Sequence, residues 1–197
     1  MDVVVLTVDQ DSSRQGPDQV PAGLAALDHV PTLLAFERTA GDEFQGVLDD
    51  PAAVAAALEP LIRAGEWNIG IGIGEIETPL PDLARAGRGS AYVRAREAVT
   101  AAKSSPWRVR AAGDGDEARP LESAVWLWAA LLSRRTPRGW EVADLVDSGL
   151  TYEQAGSRIG ISQSAVSQRA AAAGIAEGRR ARELVTHLAR LALRGAR

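Results

Sequence analysis

Residues Thr32 to Leu48, TLLAFERTAGDEFQGVL, decide the fold of this chain. Two apolar runs flank a short turn of small residues, which is the pattern of a β-hairpin. Ala40-Gly41 marks the bend, because glycine tolerates the backbone angles of a tight turn. Asp42 and Glu43 follow directly, and successive side chains of a strand alternate between its faces. We therefore expect these two carboxylates on opposite faces of the second strand.

A second acidic position lies at the end of the first strand, near the start of the chain. Asp2 to Val8, DVVVLTV, is almost continuously apolar, which is typical of a buried strand, and Asp9 follows where that strand enters a polar loop. Hard divalent cations take oxygen ligands. If the two strands are neighbours, Asp9 and Asp42 form a two-carboxylate site for a metal ion and the phosphates that it carries.

The composition limits the class of protein. The chain has 197 residues, of which 46% are hydrophobic and 24% charged, so we expect a globular, soluble protein with one ordinary domain and a smaller second one. No apolar run approaches the roughly 20 residues of a membrane span, and no signal sequence precedes Asp2, so we expect a cytoplasmic location and no membrane partner. Cysteine is absent, which excludes disulfides, thiolate zinc sites and cysteine nucleophiles.

The charge is distributed unevenly along the chain. Residues 1–118 carry 10 basic and 19 acidic side chains, whereas residues 119–197 carry 12 basic and 7 acidic ones. The net charge of the second part is therefore +5, although the whole chain has −4. A local excess of positive charge makes the C-terminal part the one suited to a polyanionic partner.

The first part of the chain predicts an alternation of strands and helices around the hairpin. The order is strand, helix, strand, strand, helix, strand, helix, strand: a βαββαβ core with one more pair, with helices covering one side of the sheet. The glycines at 70, 72 and 74 indicate that a helix or a ligand packs closely on one strand face, and we favour the helix. The segments outside the hairpin and first strand are helix Pro17 to Val30, helix Pro51 to Ala64, strand Trp67 to Ile76, helix Ser90 to Lys103 and strand Trp107 to Ala112.

Three groups of residues carry a resemblance to a known family: Asp9 with Ser12-Ser13, the segment Arg38 to Phe44 (RTAGDEF), and the segment Asn68 to Glu75 (NIGIGIGE). Their order and spacing resemble the palm-type domain shared by class III nucleotide cyclases and GGDEF diguanylate cyclases, over residues 1–115. The resemblance implies a cyclase-like, ferredoxin-like βαββαβ sheet domain and a Mg or Mn ion held by Asp9 and Asp42. It also implies a nucleotide bound by Asp9, Ser12, Ser13, Arg38, Gly41 and Asp42.

Two departures from the family pattern imply that part of the catalytic apparatus is lost. Val93 stands where cyclases carry a helical asparagine, and a valine cannot orient a ribose or stabilise developing phosphate charge. Ala40 replaces the first glycine of the GGDEF signature. Other interpretations stay open: Ser12 and Ser13 suit helix capping as well as phosphate binding, and Arg38 suits an ion pair with Glu37 or another acid. The full-length pattern also resembles the actinobacterial SatD-like proteins.

The segment Thr151 to Arg169, TYEQAGSRIGISQSAVSQR, predicts a helix-turn-helix. Thr151 and Gln154 form a capping box that starts one helix, Gly160 ends it, and Ser162 caps the next. Gly156 is the small residue at which the two helices touch, and Val166 belongs to the same helix contact. The segment resembles the helix-turn-helix of bacterial transcription factors, especially the sigma-region-4 and response-regulator sorts, and it lies in a predicted all-α domain at 119–197.

The second helix of this motif carries the residues that we expect to contact DNA, because hydrogen-bonding side chains read base edges and arginine suits guanine or phosphate. The DNA-binding residues are Ser162, Gln163, Ser164, Ser167, Gln168 and Arg169. The arginines expected to contact phosphate are Arg134, Arg135, Arg138, Arg158, Arg179, Arg180 and Arg182. A final helix, Glu177 to Arg194, carries Leu184, Leu188 and Leu191 on one stripe and is the expected homodimer contact.

The sequence thus predicts a DNA-binding transcriptional regulator whose non-catalytic, cyclase-like domain senses a nucleotide or mediates dimerisation. The alternative is an active, metal-dependent nucleotidyl cyclase with a helix-turn-helix appendage. A third class, a non-catalytic interaction protein, uses the same three-helix architecture to dock another protein.

Overall fold

The computed structural model of the chain describes residues 1–11 and 16–195, and it is an α+β structure built on a five-stranded mixed sheet. The strand order is β2-β3-β1-β4-β5. Strand β1 is antiparallel to both of its neighbours, β2 is antiparallel to β3, and β5 is parallel to β4. The strands are β1 (Asp2–Gln10), β2 (Leu34–Ala40), β3 (Glu43–Leu48), β4 (Trp67–Glu75) and β5 (Val109–Ala112).

Eight α-helices and one short 3₁₀ helix (Ala84–Ala86) complete the described part of the chain. The predicted order of strands and helices in the first part is confirmed, from β1 through to β5. The α-helices are α1 (Val20–Ala25), α2 (Pro51–Ala64), α3 (Ser90–Ala102), α4 (Ala118–Leu132), α5 (Pro137–Asp147), α6 (Tyr152–Ile159), α7 (Gln163–Ala172) and α8 (Ile175–Gly195). None of them is long and apolar enough to cross a membrane.

The hairpin of β2 and β3 is present, but its turn lies one residue later than predicted. Ala40 pairs with Glu43, so the two turn residues are Gly41 and Asp42. Gly41 has φ +59°, a backbone angle that glycine adopts without a steric cost. Asp42 therefore belongs to the turn, and Glu43 is the first residue of β3.

One face of the sheet carries the largest hydrophobic cluster. Val4, Leu6 and Val8 of β1 pack there against helices α1, α2, α4 and α8. Because α4 and α8 share this cluster with the sheet, the apolar packing continues across residue 118. The division into domains 1–115 and 119–197 stays a prediction.

Helix α3 covers the opposite face, so the prediction that helices cover only one side of the sheet is wrong. A Cβ on Gly72 would lie 2.1 Å from the carbonyl oxygen of Ala91, and one on Gly70 would lie 2.4 Å from that of Ala95. Only glycine allows the backbone of α3 to approach β4 so closely. The favoured interpretation of the glycine strand, a closely packed helix, is confirmed.

Helices α5, α6 and α7 share a hydrophobic cluster of their own, which includes Val142, Ala155 and Val166. The final helix α8 joins the sheet cluster instead, with Val185 and Ala189 fully buried. Its predicted leucine stripe is divided: Leu188 packs against that cluster, whereas Leu184 and Leu191 are exposed. The three-helix unit α5–α7 is thus a compact body that continues directly into α8.

Candidate functional site

Polar side chains gather at the end of β1, on the sheet face that α3 covers. Asp9 is in register with Glu43 of β3 on one side and with Asn68 of β4 on the other. Residues directly opposite each other on neighbouring strands share a face of the sheet. The carboxylate that the strand register brings beside Asp9 is therefore that of Glu43. Asp42 lies in the turn, where its carbonyl oxygen accepts a hydrogen bond from the Gln10 amide at 3.1 Å.

Helix α3 and the residue that directly follows it supply a cation to each of these carboxylates. The Lys103 ammonium lies 3.1 Å from Oδ2 of Asp9, to which the side-chain amide of Asn68 also donates at 3.2 Å. An Arg96 guanidinium nitrogen lies 3.4 Å from Oε1 of Glu43. The two acids are thus neutralised by groups of the same chain.

Hydrogen bonds to neutral groups complete most of this cluster. Thr39 donates to Oε1 of Glu43 at 2.8 Å, and Gln45 donates to the hydroxyl of Thr7 at 2.6 Å. The exception is Oδ1 of Asn68, which is buried and has no hydrogen-bond partner among the described residues. A buried polar atom without a partner costs free energy, so this oxygen marks a position where a ligand donor or cation would be favourable.

Of the other predicted nucleotide-binding residues, Arg38 does not share the sheet face of Asp9. Arg38 is in register with Phe44, whose ring lies in the large core, so Arg38 is on the opposite face of the sheet. It donates two hydrogen bonds to the Asp18 carboxylate, at 2.5 and 2.6 Å, and these bonds hold the pKa of Asp18 below its usual value. Gly41 is in the turn. Ser12 and Ser13 lie outside the described residues.

Two further predictions concern the metal ligands around Asp9 and the position at which cyclases carry an asparagine. In residues 1–11 and 16–195 no group of three or more histidine or acidic side chains is placed to hold a metal ion. A cation at Asp9 would therefore draw further ligands from amide or backbone oxygens, water or a bound nucleotide. Val93, at the asparagine position of cyclases, is 60% exposed on α3.

The second candidate site is the pair of helices α6 and α7, which the segment Gly160 to Ser162 connects. Thr151 accepts a hydrogen bond from the Gln154 amide at 3.2 Å, and the Gln154 side chain accepts one from the Thr151 amide at 2.9 Å. Gly160 ends α6 with φ +71°, and the Ser162 hydroxyl accepts from the Ala165 amide at 3.2 Å. The predicted capping box, glycine stop and serine cap are all confirmed.

A close contact fixes α7 against α6. A Cβ on Gly156 would lie 2.6 Å from the carbonyl oxygen of Ile161, so only glycine fits at this position. Val166 is fully buried in the cluster of the three-helix unit. Because Val166 points inward, the polar residues on either side of it face away from the unit.

The outward face of α7 carries side chains that the fold leaves unused. Gln163, Ser167 and Gln168 are exposed, and their side chains make no hydrogen bond or ion pair within the described part of the chain. Ser164 is also exposed, and its hydroxyl lies 3.0 Å from that of Ser162. Arg169 is partly buried, at 4.0 Å from the Glu141 carboxylate of α5.

Sequence reasoning missed the partners at the end of β1. The sequence pattern places Glu43 on the strand face opposite to that of Asp42, and it assigns Asn68, in the segment Asn68 to Glu75, no role of its own. Strand alternation contained a signal for these partners, because it places the polar residues Thr7 and Asp9 on the same face of β1. Polar side chains on a buried strand need hydrogen-bond partners from the neighbouring strands. Lys103 and Arg96 carried no such signal, because the sequence does not say which residues of α3 face the end of β1.

Comparison of the chain with protein-family models, with curated proteins and with solved structures finds no match in any of the three.

Proposed function

We propose that the protein binds double-stranded DNA through α7 and acts as a transcriptional regulator. The observation that carries the proposal is the row of exposed, unpartnered side chains on α7, formed by Gln163, Ser167 and Gln168. A polar side chain without an intramolecular partner contributes little to folding, whereas a base edge offers it a hydrogen bond.

The chemistry of α7 suits the major groove. Glutamine makes paired hydrogen bonds to adenine, serine bonds to several bases, and arginine bonds to guanine. No acidic residue interrupts the segment from Ser162 to Ala172, and residues 119–197 have a net charge of +5. Both features favour a negatively charged partner over a basic or apolar surface.

We assign the sheet a supporting role, as a cyclase-like body that senses a nucleotide or mediates dimerisation. The connectivity supports this assignment, since the strand order β2-β3-β1-β4 with antiparallel neighbours is that of the ferredoxin-like, split βαβ arrangement. The ion pairs of Asp9 with Lys103 and of Glu43 with Arg96 favour a non-catalytic role, because a reacting metal would have to displace two cations of the same chain.

The DNA proposal is tested by selecting duplexes from a random library with the full-length protein. We expect enrichment of a defined site, and we expect Gln168→Ala and Arg169→Ala each to weaken binding to it by roughly 5- to 150-fold, the equivalent of about 1–3 kcal/mol. Arg190→Ala, which removes an exposed arginine of α8, is the charge-matched control for Arg169→Ala. Failure to enrich any sequence, or unchanged affinity in both α7 variants, would refute the proposal.

The second candidate function is metal-dependent nucleotidyl cyclisation, which the oxygen-rich end of β1 favours. Asp9, Glu43 and the unpartnered Oδ1 of Asn68 lie in register there. The test is incubation with ATP or GTP and Mn²⁺ or Mg²⁺, followed by analysis for cyclic or dinucleotide products. Turnover that Glu43→Gln abolishes would establish this function. If the domain only senses a nucleotide, calorimetry will detect binding that Asp9→Ala weakens, without any product.

A homodimer completes the proposal, because two-fold symmetric regulators place two reading helices on two half-sites. The exposed Leu184 and Leu191 of α8 are the residues that we assign to this contact. Light scattering of the full chain should give twice the monomer mass, and Leu184→Lys should return it to the monomer mass. A monomeric wild-type protein would refute the dimer without affecting the assignment of α7.

A further inference from the structure

The seven arginines that the sequence suggests as phosphate contacts separate into two sets according to their partners. One set is used within the chain, and it includes Arg180, which pairs with Glu183 of the same helix at 2.8 Å. Arg135 is almost buried and donates to the carbonyl oxygen of Ala173 at 2.9 Å. Arg179 pairs with Asp147 at 3.1 Å, and Arg182 pairs with Glu59 of α2. These last three guanidinium groups hold the three-helix unit, α8 and α2 together, so they are not available to a phosphate.

The second set consists of Arg134, Arg138 and Arg158. All three are exposed, and none makes an ion pair or side-chain hydrogen bond within residues 1–11 and 16–195. The acids of α5 do not neutralise them, because Asp144 pairs with Arg63, Asp147 pairs with Arg179, and Glu141 lies 4.0 Å from Arg169. The guanidinium groups of Arg134, Arg138 and Arg158 are therefore left unpaired at the surface of the described part of the chain.

The free arginines lie at the two ends of α7. Arg158 is in the last turn of α6, directly before the turn that leads into α7. Arg138 is at the other end: a Cβ on the next residue, Gly139, would lie 3.1 Å from the Cβ of Ala173, the residue that ends α7. Arg134 is at this end too, because its neighbour Arg135 binds the carbonyl oxygen of Ala173.

The length of α7 fits the distance that such a pair of cations must bridge. Its 10 residues, at 1.5 Å per residue, span about 15 Å. The major groove of B-DNA is about 12 Å wide. With α7 in the groove, cations at its two ends reach the phosphates that border the groove on opposite sides.

We infer that Arg158 on one side, and Arg138 with Arg134 on the other, form a phosphate clamp that holds α7 in the major groove. The inference rests on the proposed DNA-binding function and names the ligand as the phosphodiester backbone, not the bases. Contacts of this kind supply affinity and orientation without sequence information. Arg135, Arg179 and Arg182, which the sequence also suggested as phosphate contacts, are assigned to the structure of the protein instead.

The test measures how the affinity of the full-length protein depends on salt, by fluorescence anisotropy with a labelled duplex of mixed sequence. Each phosphate contact adds about −0.9 to the slope of log K against log salt. We expect Arg138→Ala and Arg158→Ala each to reduce the magnitude of that slope by about 1, and the double variant by about 2. Gln163→Ala should leave the slope unchanged, because it removes a base contact.

Arg190→Ala is the matched control. Arg190 is exposed and unpaired like the clamp residues, but it lies 15 residues into α8, about 22 Å along that helix from its start beside α7. Its replacement should leave the slope unchanged. A wild-type slope in the Arg138→Ala/Arg158→Ala variant, or an equal loss in Arg190→Ala, would overturn the clamp while leaving DNA binding intact. No binding of any duplex by the wild-type protein would refute the proposed function itself, and the clamp with it.

Discussion

The end of β1 and the outward face of α7 both carry polar side chains, but they differ in the partners that these side chains have within the described part of the chain. At the end of β1, the acids Asp9 and Glu43 each have a cation from α3 or the residue directly after it, and a hydrogen bond from a neutral neighbour. On α7, Gln163 and Gln168 have neither. The first group is satisfied by the fold, and the second is left for a partner.

This difference shows why a motif does not establish a site. The acidic residues were the most informative part of the sequence, yet the structure neutralises them beneath a closely packed helix. The glutamines and serines of α7 are ordinary residues of an amphipathic helix, yet they are the ones with unused hydrogen-bonding groups. Whether a polar group has a partner within the chain, rather than its residue type, separates residues that stabilise the fold from residues that recognise a ligand.

The largest expected effect comes from separating α3 from the sheet. In Gly72→Val the new Cβ would lie 2.1 Å from the carbonyl oxygen of Ala91, and backbone cannot yield as a side chain can. We expect a loss of about 3 kcal/mol or more in the free energy of unfolding, measured in urea. Ile71→Val, on the adjacent residue but the other face, is the control and should cost about 1 kcal/mol. Equal costs would show that α3 does not close this end of the sheet.

The comparison is tested directly by truncating one amide side chain in each region. Asn68→Ala removes the amide that donates to Asp9, and leaving a buried carboxylate with one donor fewer costs about 1–3 kcal/mol. Gln163→Ala removes a side chain without a partner, so stability should change by less than about 0.5 kcal/mol. Thermal and urea unfolding of both variants measure the contrast, and similar losses at the two positions would contradict it.

Within α7, serine has two different roles that substitution should separate. The Ser162 hydroxyl accepts from the Ala165 amide and caps the helix, so Ser162→Ala should cost about 1 kcal/mol of stability. Ser167 has no such contact, so we expect Ser167→Ala to change stability by less than about 0.5 kcal/mol while weakening DNA binding. An equally destabilised Ser167→Ala variant would place that residue in the fold rather than in the interface.

The smallest effect is confined to alkaline pH. Tyr92 is a residue of α3, and its hydroxyl is buried without a hydrogen-bond partner among the described residues. Burial, followed by the charge of Glu37, raises the pKa of Tyr92 to about 12. The folded protein thus keeps the phenol proton that the unfolded chain releases near pH 10. This contribution to stability is complete below about pH 10 and is lost as the pH rises from about 10 to 12.

Tyr92→Phe should therefore leave stability at neutral pH unchanged and remove this part of the alkaline decline. Tyr152→Phe, on α6, is the control and should keep the decline of the wild-type protein. Urea unfolding at successive pH values measures both. A Tyr92→Phe variant with the wild-type pH profile would show that the phenol is solvated in the folded state.

Much of the local structure was predictable from the sequence, because its causes are local. Thr151 with Gln154, Gly160 and Ser162 each stop or start a helix through bonds to residues within four positions, so their spacing alone predicted α6 and α7. Apolar runs likewise predicted β1 and the hairpin. The turn was misplaced by one residue because the small residues Ala40 and Gly41 leave two turn positions open, and strand pairing decides between them.

The sequence by itself determined which segments form strands and helices, where α6 and α7 begin and end, and that the positive charge lies in the C-terminal part. Only the tertiary structure decided that Asp9 faces Glu43, that Arg38 is on the other side of the sheet, and that α3 closes the face bearing the acids. Which arginines remain free was also decided there, since Arg134 and Arg135 are identical neighbours in the sequence. The physical reason is that propensity and capping act within a few residues, whereas register, burial and ion pairing join residues that are distant in the chain.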